Sequence, residues 1–287
     1  MSEQYKFSFS KLSTYLQCPK MYELQFIKKV VEFKETIYTA FGGAIHKAIE
    51  TCINKNYDFE ETFFIFEKEF KERMKLMDPR ESQLIFLNEW NSKAKEILKF
   101  YFENYNTKIQ KGLIEVIGVE KYFSYEILPN VFYNGIIDLL CKCEEEYTEK
   151  KQIPTIKKTQ SGKERKIYET IINKNYKTVY KILDWKTGSV KQDKTQLLSY
   201  TVPLFFLEKM LVDEISYIYL KHQKEVKESI NENKIKETKE YLISIIKNII
   251  RDTENNDFEM CLDKKICKYC NVKKFCNEEF ESDLGSM

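Results

Sequence analysis

Glycine and proline are scarce, eight and five among 287 residues. A low-complexity chain or a fold made mostly of turns is thereby excluded, and regular elements should dominate. Net charge is almost absent too, because 47 basic side chains stand against 45 acidic ones and leave +2. No whole-molecule field favours a polyanion, so any contact with nucleic acid must rest on local patches. No apolar run approaches the length of a membrane-spanning helix. The stretch MSEQYKFSFSKLS lacks the basic-then-apolar layout of a secretory signal, so a cytoplasmic or nucleoid-associated protein with no membrane partner is expected. What is plentiful is core material: 43% of residues are hydrophobic and 14% aromatic. Eight cysteines in a reducing compartment point to metal ligands or core residues before disulfides.

Residues 8–29, SFSKLSTYLQCPKMYELQFIKK, carry Ser and Thr cap candidates ahead of helix-spaced apolar side chains, and Cys18-Pro19 divides them into two short helices. Helical spacing continues from 43 to about 106, with a break near Asp78-Pro79. LIEVIGVEKYFSYE, residues 113–126, alternates as one or two strands; VFYNGIIDLLCKC is a further strand, with TVYKILDWKTG its expected neighbour. Residues 142–180 form a polar insertion too long for a plain hairpin loop. Over 150–181 ten Lys or Arg face two Glu, a local +8, the composition of a solvated, partly mobile segment. Then come a helix that Pro203 bends or ends, a strand in EISYIYLKH, a long charged helix over 223–252 and a cysteine-rich tail. The order implies an α/β core sheet inside helical additions, in a single domain over 1–287. Its parts are an N-terminal segment 1–30, a helical region 31–112, a core 113–222 with its insertion, and a C-terminal helix and cysteine region 223–287.

In ILDWKTGS, Asp184 and Lys186 share one face of a strand, with Leu183 and Trp185 on the other. Ionised groups beside a core are costly unless paired or bound to a metal, and a structural ion pair alone would answer that cost. Asp138 in GIIDLL, however, also ends an apolar run. If the two strands pair, both carboxylates and Lys186 converge at one sheet edge. Hard oxygen ligands suit magnesium or manganese shared with a phosphate, and a lysine beside them can hold a nucleophilic water or meet developing charge. His46 in FGGAIHKAIE borders the stripe Ala44, Ile45, Ala48, Ile49, Cys52 and Ile53. There it is either a half-buried hydrogen-bonding residue or a nitrogen ligand. Gln196 and Tyr200, four apart on a helix, can donate to a phosphate, position Lys186, or form an ordinary amphipathic border. The other histidine, His222, receives no role.

CKYCNVKKFC sets Cys267, Cys270 and Cys276 in a C-x2-C-x5-C run, a soft-metal pattern that lacks a fourth ligand. Cys261 would complete a local zinc knuckle; Cys18 would clasp the two chain ends together, and spacing leaves the choice open. Zinc is the commonest metal of such thiolate sites. Cys52, Cys141 and Cys143 fall on apolar or strand positions and read as core residues.

Taken in order, SFSKLSTYLQCPKMYEL, GGAIH, GIIDLL, DWKTG, QLLSY and CKYCNVKKFC resemble the RecB-like branch of the PD-(D/E)XK nucleases. Within it they are most similar to the iron–sulfur members: the AddB nuclease domain, exonuclease V and the CRISPR-associated spacer-acquisition nucleases. The resemblance implies a restriction-endonuclease-like central mixed sheet with flanking helices, helical N-terminal additions and a C-terminal cysteine-cluster region. It implies that His46, Asp138 and Asp184 bind one or two magnesium or manganese ions, with Glu120 as an accessory acid and Lys186 as the catalytic lysine. Gln196 and Tyr200 match the family's Q-x3-Y motif, which supports the active site and touches DNA. Cys18, Cys267, Cys270 and Cys276 would hold a 4Fe–4S cluster, with zinc as the alternative. The implied function is a metal-dependent deoxyribonuclease, an exonuclease on single-stranded or free-ended DNA in repair, recombination or phage DNA metabolism, alongside a helicase or other DNA-processing protein. The long insertion departs from the family pattern, and no G-x4-GK[ST] phosphate loop is present. The rival reading is a catalytically inactive nuclease-fold accessory subunit of a replication or transcription complex, in which a lost ligand would be expected.

Overall fold

The computed structural model describes residues 4–32, 34–78, 86–158, 164–261 and 263–276. Strand β1 (Tyr5–Ser8) leads into helix α1 (Phe9–Gln17), whose N-cap Ser8 accepts from the Lys11 amide. Cys18 ends α1 and caps α2 (Pro19–Tyr22): its Sγ accepts from the Met21 amide, and Pro19 occupies the first helical position, where no amide donor is needed. A capping box at Thr36 opens α3 (Ile37–Lys55) and another at Asp58 opens α4 (Phe59–Met74). Helix α5 (Leu87–Tyr101) follows; the expected break at Asp78-Pro79 falls partly outside the described residues, which end there at 78. A short α6 (Thr107–Gln110) precedes the main sheet strands.

The sheet has six strands, and its remaining members are β2 (Glu115–Leu128), β3 (Val131–Lys158), β4 (Glu164–Lys186), β5 (Glu214–Tyr219) and β6 (Lys224–Ser229). β2 lies antiparallel along one edge of β3, from Val131 to Lys142. The other edge of β3 is shared end to end: β1 runs parallel to it as far as Asn134, and β4 runs antiparallel to it from Leu139 onward. Residues 135–138 therefore face the junction of two strand ends. β5 pairs parallel with the last residues of β4, and β6 closes the edge antiparallel to β5.

Helices cover both faces. Helices α7 (Thr195–Phe206) and α8 (Glu232–Asn255) bury Leu197, Leu204, Ile235 and Ile246 on one side, with Leu12 of α1 beside them. On the other side α3, α4 and α5 bury Ile45, Phe66, Phe70 and Leu98 against Leu139, Leu183 and Trp185. A third, smaller cluster joins Cys18, Met21 and Leu24 to Val272, just beyond α9 (Lys264–Lys268). The expected central mixed sheet with flanking helices is thus present.

Four expectations need correction. The stretch 142–180 is solvated, as expected, but regular: β3 and β4 continue as a two-stranded ribbon, paired from Lys142↔Tyr180 to Lys158↔Glu164. Ladder hydrogen bonds satisfy the backbone there without a buried face, so polarity alone misleads. Residues 159–163 lie outside the described residues. The charged helix begins at Glu232, because Lys224–Ser229 is the edge strand β6. Pairing with β5 and burial of Val226 override the helical preference of Lys and Glu. The sheet also reaches past the expected core 113–222 to recruit β1 and β6. Pro203 lies inside α7 without ending it, which continues to Phe206.

Candidate metal centre

Val119 pairs with Leu139 and Lys121 with Ile137, so Glu120 and Asp138 stand opposite each other on β2 and β3. Glu120 has φ 46°, left-handed backbone that non-glycine residues seldom adopt. The irregularity turns both strands over. Ile137 and Phe123 pack in one core, whereas Leu139 and Val119 pack in the other, although regular alternation would keep each pair on one face. The turnover lies at the strand junction beside residues 135–138.

Helix α3 brings His46 to this point. Its Nδ1 lies 3.3 Å from Asp138 Oδ2 and 3.9 Å from Glu120 Oε1. One potential ligand atom from each of His46, Glu120 and Asp138 falls within 4.8 Å of the others. Asp184 follows Leu183, the partner of Leu139, and the next amide, Trp185 N–H, donates to Asp138 Oδ2 at 2.9 Å. The Trp185 ring anchors this turn of β4 from behind, edge-on to Tyr101 and Tyr105.

Lys186 Nζ lies 2.5 Å from Asp184 Oδ2, 5.0 Å above the Tyr217 ring, and donates to Gln196 Oε1 at 3.4 Å. Gln196 Nε2 in turn donates to the Tyr200 hydroxyl at 2.8 Å, and the Tyr217 hydroxyl donates to Gln196 Oε1 at 3.5 Å. Tyr200 itself is buried against Phe123, so its hydroxyl serves Gln196 rather than the surface. Burial pushes the Tyr200 phenol up to about 12.

The electrostatics describe a site short of positive charge. Burial raises Asp138, the Asp184 carboxylate raises it further, and His46 with the Trp185 amide only partly compensates, leaving it near 7. Asp184 is also raised, again by burial first, with Lys186 opposing. Burial disfavours the charged imidazole of His46, but Asp138, Glu120 and Asp184 outweigh it and push the ring up to about 9. One imidazole and clustered carboxylates that cannot all ionise comfortably are a donor set for a hard divalent cation. The residues present fit a divalent metal ion.

Two clefts flank the centre. One of about 340 Å³ is walled by Gly43, His46, Arg73 and Glu120; another of about 490 Å³ is walled by Phe9, Gln17, Lys186, Lys191 and Gln196. A larger cleft of about 520 Å³ sits at the ribbon's root beside Tyr105, Cys143 and Lys181 and contains none of these side chains. Lys181 is held there by Glu145 and Glu214, at 2.5 and 2.8 Å, so size does not mark the chemistry. Reasoning from sequence missed Tyr217, the Trp185 amide and Arg73. Tyr217 was signalled only by its alternation in EISYIY, opposite Asp184. Arg73 is fixed by Glu35 and Glu69, both at 2.9 Å, and a Cβ at Gly43 would lie 2.5 Å from its guanidinium.

The cysteines form a second constellation. Cys18 is buried, and around it pack Cys261, Cys270 and Cys276, with Val272 and Phe275. Its Sγ accepts from the Cys261 amide at 3.4 Å, and the Lys20 amide donates to the Glu259 carbonyl at 3.1 Å. Burial raises the Cys270 and Cys276 thiols, and each also feels Cys18 and Cys267. Cys18, Cys267, Cys270 and Cys276 are therefore neighbours, with Cys261 beside them. Clustered thiols are donors of the kind a soft metal takes. Cys52 and Cys141 are core residues, Cys143 is half-buried, and His222 lies exposed in a turn.

A family model described as the PD-(D/E)XK nuclease superfamily matches residues 6–160 and 172–277. The match takes in His46, Glu120, Asp138, Asp184, Lys186 and the cysteines, and the interval it leaves out lies in the ribbon. The central mixed sheet of six strands with helices on both faces is the restriction-endonuclease-like architecture of that superfamily. No curated protein matches the chain.

Proposed function

The chain belongs to the PD-(D/E)XK nuclease superfamily, and on that premise we propose that it is a magnesium- or manganese-dependent deoxyribonuclease removing nucleotides from single-stranded or frayed DNA ends. The observation that carries the reading is the convergence of His46, Glu120, Asp138 and Asp184 with Lys186 at one strand junction. Held by His46, Asp138 and Asp184, with Glu120 beside them, the cation would polarise the phosphate and acidify a water. Lys186 offers its ammonium to the attacking water or a phosphate oxygen, meeting charge that builds in the transition state. Gln196 keeps Lys186 in place, and Tyr200, one step further back, positions Gln196.

In the same reading the chain is a single domain of the RecB-like branch, and Cys18, Cys267, Cys270 and Cys276 hold a 4Fe–4S cluster. The packing of Cys18 against the segment that carries Cys270 and Cys276 supports a structural role for it.

The test is anaerobically purified protein with end-labelled single-stranded DNA and manganese, beside Asp184→Ala and Lys186→Ala. Each variant should cut at least about a hundredfold more slowly while keeping the wild-type circular dichroism. Undiminished cutting by both folded variants rejects the active site. Cutting of circular single strands rejects the exonuclease assignment and leaves a nuclease.

A further inference from the structure

Two glycines stand side by side inside α3, Gly42 and Gly43, although glycine is the weakest helix former apart from proline. Their neighbours account for both. A Cβ at Gly43 would lie 2.5 Å from Arg73 Cζ and Nη1, and one at Gly42 would lie 3.1 Å from Thr187 Oγ1. Arg73 belongs to α4, whereas Thr187 directly follows Lys186 at the end of β4. The two contacts therefore reach α3 from different elements. His46 comes three residues after Gly43 and four after Gly42, so all three lie along one face of the helix. The turn that is gripped is the turn before the candidate ligand.

Arg73 is itself held in place. Its Nε donates to Glu69 Oε1 and its Nη1 to Glu35 Oε1, each at 2.9 Å. Glu69 lies one turn back on α4. Glu35 is buried just before the cap of α3, accepts from Thr39 Oγ1, and forms an isolated bridge with Met77 beyond α4. One guanidinium thus joins the start of α3 to the end of α4 and packs on the backbone of Gly43 between them. Arg73 and His46 also wall the same cleft. Charge is not what it offers a metal there, because a guanidinium beside carboxylates opposes a cation. Half-exposed ion pairs also add little stability. What the arrangement fixes is place.

We propose that Arg73 is a positioning residue for the metal centre, an inference that rests on the nuclease reading above. Pinned by Glu35 and Glu69 and seated on Gly43, it sets the depth and rotation of α3, and Thr187 against Gly42 sets them from the sheet side. His46 Nδ1 is thereby kept 3.3 Å from Asp138 Oδ2 and 3.9 Å from Glu120 Oε1, close enough for one cation to meet all three side chains. A lysine would keep the charge of Arg73 but not the planar fork that meets both acids at once.

The test measures manganese binding itself, from the EPR lines of the free ion over anaerobically purified, chelator-treated protein, with Asp138→Asn as background. Arg73→Lys and Gly43→Ala disturb the contact from its two sides, and alanine at 43 would otherwise favour the helix. Each should weaken manganese binding about tenfold or more while keeping the wild-type circular dichroism. Lys47→Ala is the control: it removes a cation from the same cleft, but Lys47 pairs within α3, with Glu50 at 2.8 Å. It should bind manganese at least as tightly as the wild type. Wild-type affinity in Arg73→Lys, even with a lower metal-free melting temperature, overturns the proposal and leaves Arg73 a stability contact. If that variant does not fold, wild-type affinity in Gly43→Ala overturns it in the same way. Equal weakening in Lys47→Ala overturns it too, since any change in that cleft then suffices. A wild type that binds no more manganese than Asp138→Asn rejects the metal centre and the nuclease reading, and the proposal with them.

Discussion

At the scale of single residues, Asp138 concentrates the tension of the site. It is buried, faces Asp184, and takes the Trp185 amide and the His46 ring on one oxygen. Its carboxyl is raised from 3.8 to about 7, so the folded, cation-free chain holds a proton there that the unfolded chain has released. Stability from this group is therefore lost as pH rises from about 4 to about 7. His46, raised from 6.5 to about 9, adds stability that is complete below 6.5 and lost as pH rises through 9. Both trends have the same sign, and a divalent cation opposes both. Chelated wild-type protein should melt progressively lower as pH rises toward 9, with manganese restoring it. Asp138→Asn should melt higher than chelated wild type at alkaline pH, gain nothing from manganese, and not cut. Thermal melts across pH with and without metal check this, and a variant less stable than chelated wild type would refute the electrostatic account. Asp138, Asp184 and Lys186 were visible in the sequence because charge at the end of an apolar run is conspicuous. Glu120 entered only through the family resemblance: in VIGVEKYF it looks like a solvent-facing strand residue, and nothing in that stretch signals its left-handed backbone. Arg73 stood even further from recognition, since only the fold brings α4 against Gly43.

At the scale of elements, the contact of α7 with β2 and β3 sets the reach of Lys186. Gly135 makes that contact possible: a Cβ there would lie 2.5 Å from Phe123 Cζ and 3.0 Å from Tyr200 Cε1. Gly135→Ala should cost about 1–3 kcal/mol and push Tyr200 away, loosening Gln196 and then Lys186. The expected signature is a lower Tm with kcat falling more than KM, whereas unchanged kcat would detach Tyr200 from the lysine. Elements were legible where burial imposed a period. The paired apolar runs of β3 and β4, the stripe of α3 and the alternation of β5 each bury one face or both. β1 was too short to announce itself, and KEVKES looks helical until β5 recruits it. The ribbon was invisible for the opposite reason: it alternates, but neither face enters a core, so its composition resembles that of a loop.

At the scale of the whole molecule, residues 12–24 and 252–276 pack as one unit. The Tyr15 hydroxyl donates to Asp252, Cys18 packs with Cys261, Cys270 and Cys276, and Leu24 is covered by Val272. If the cluster uses Cys18, then Cys18→Ser should lose iron and colour and melt lower, while Cys261→Ser keeps its iron. Iron and zinc analysis of anaerobically purified protein checks it. A zinc-loaded protein that depends on Cys261 and tolerates Cys18→Ser would replace the clasp with a local knuckle. Spacing in the sequence could not choose between these cysteines, because residue 18 and residue 276 are neighbours only through folding.

That closure also sets an order of assembly. Residues 12–24 leave the ribosome early, yet Asp252 and Val272, which hold and cover them, are synthesised more than two hundred residues later. Until then Tyr15 and Leu24 lack part of what buries them, and such exposed apolar surface is what chaperones and proteases act on. Phe9, Ser13 and Gln17 of the same helix wall the cleft beside Lys186. The helix that walls the cleft beside Lys186 is therefore clasped only after residues 252–272 are made, and a chain interrupted before them has the sheet but lacks the contacts that hold that wall in place.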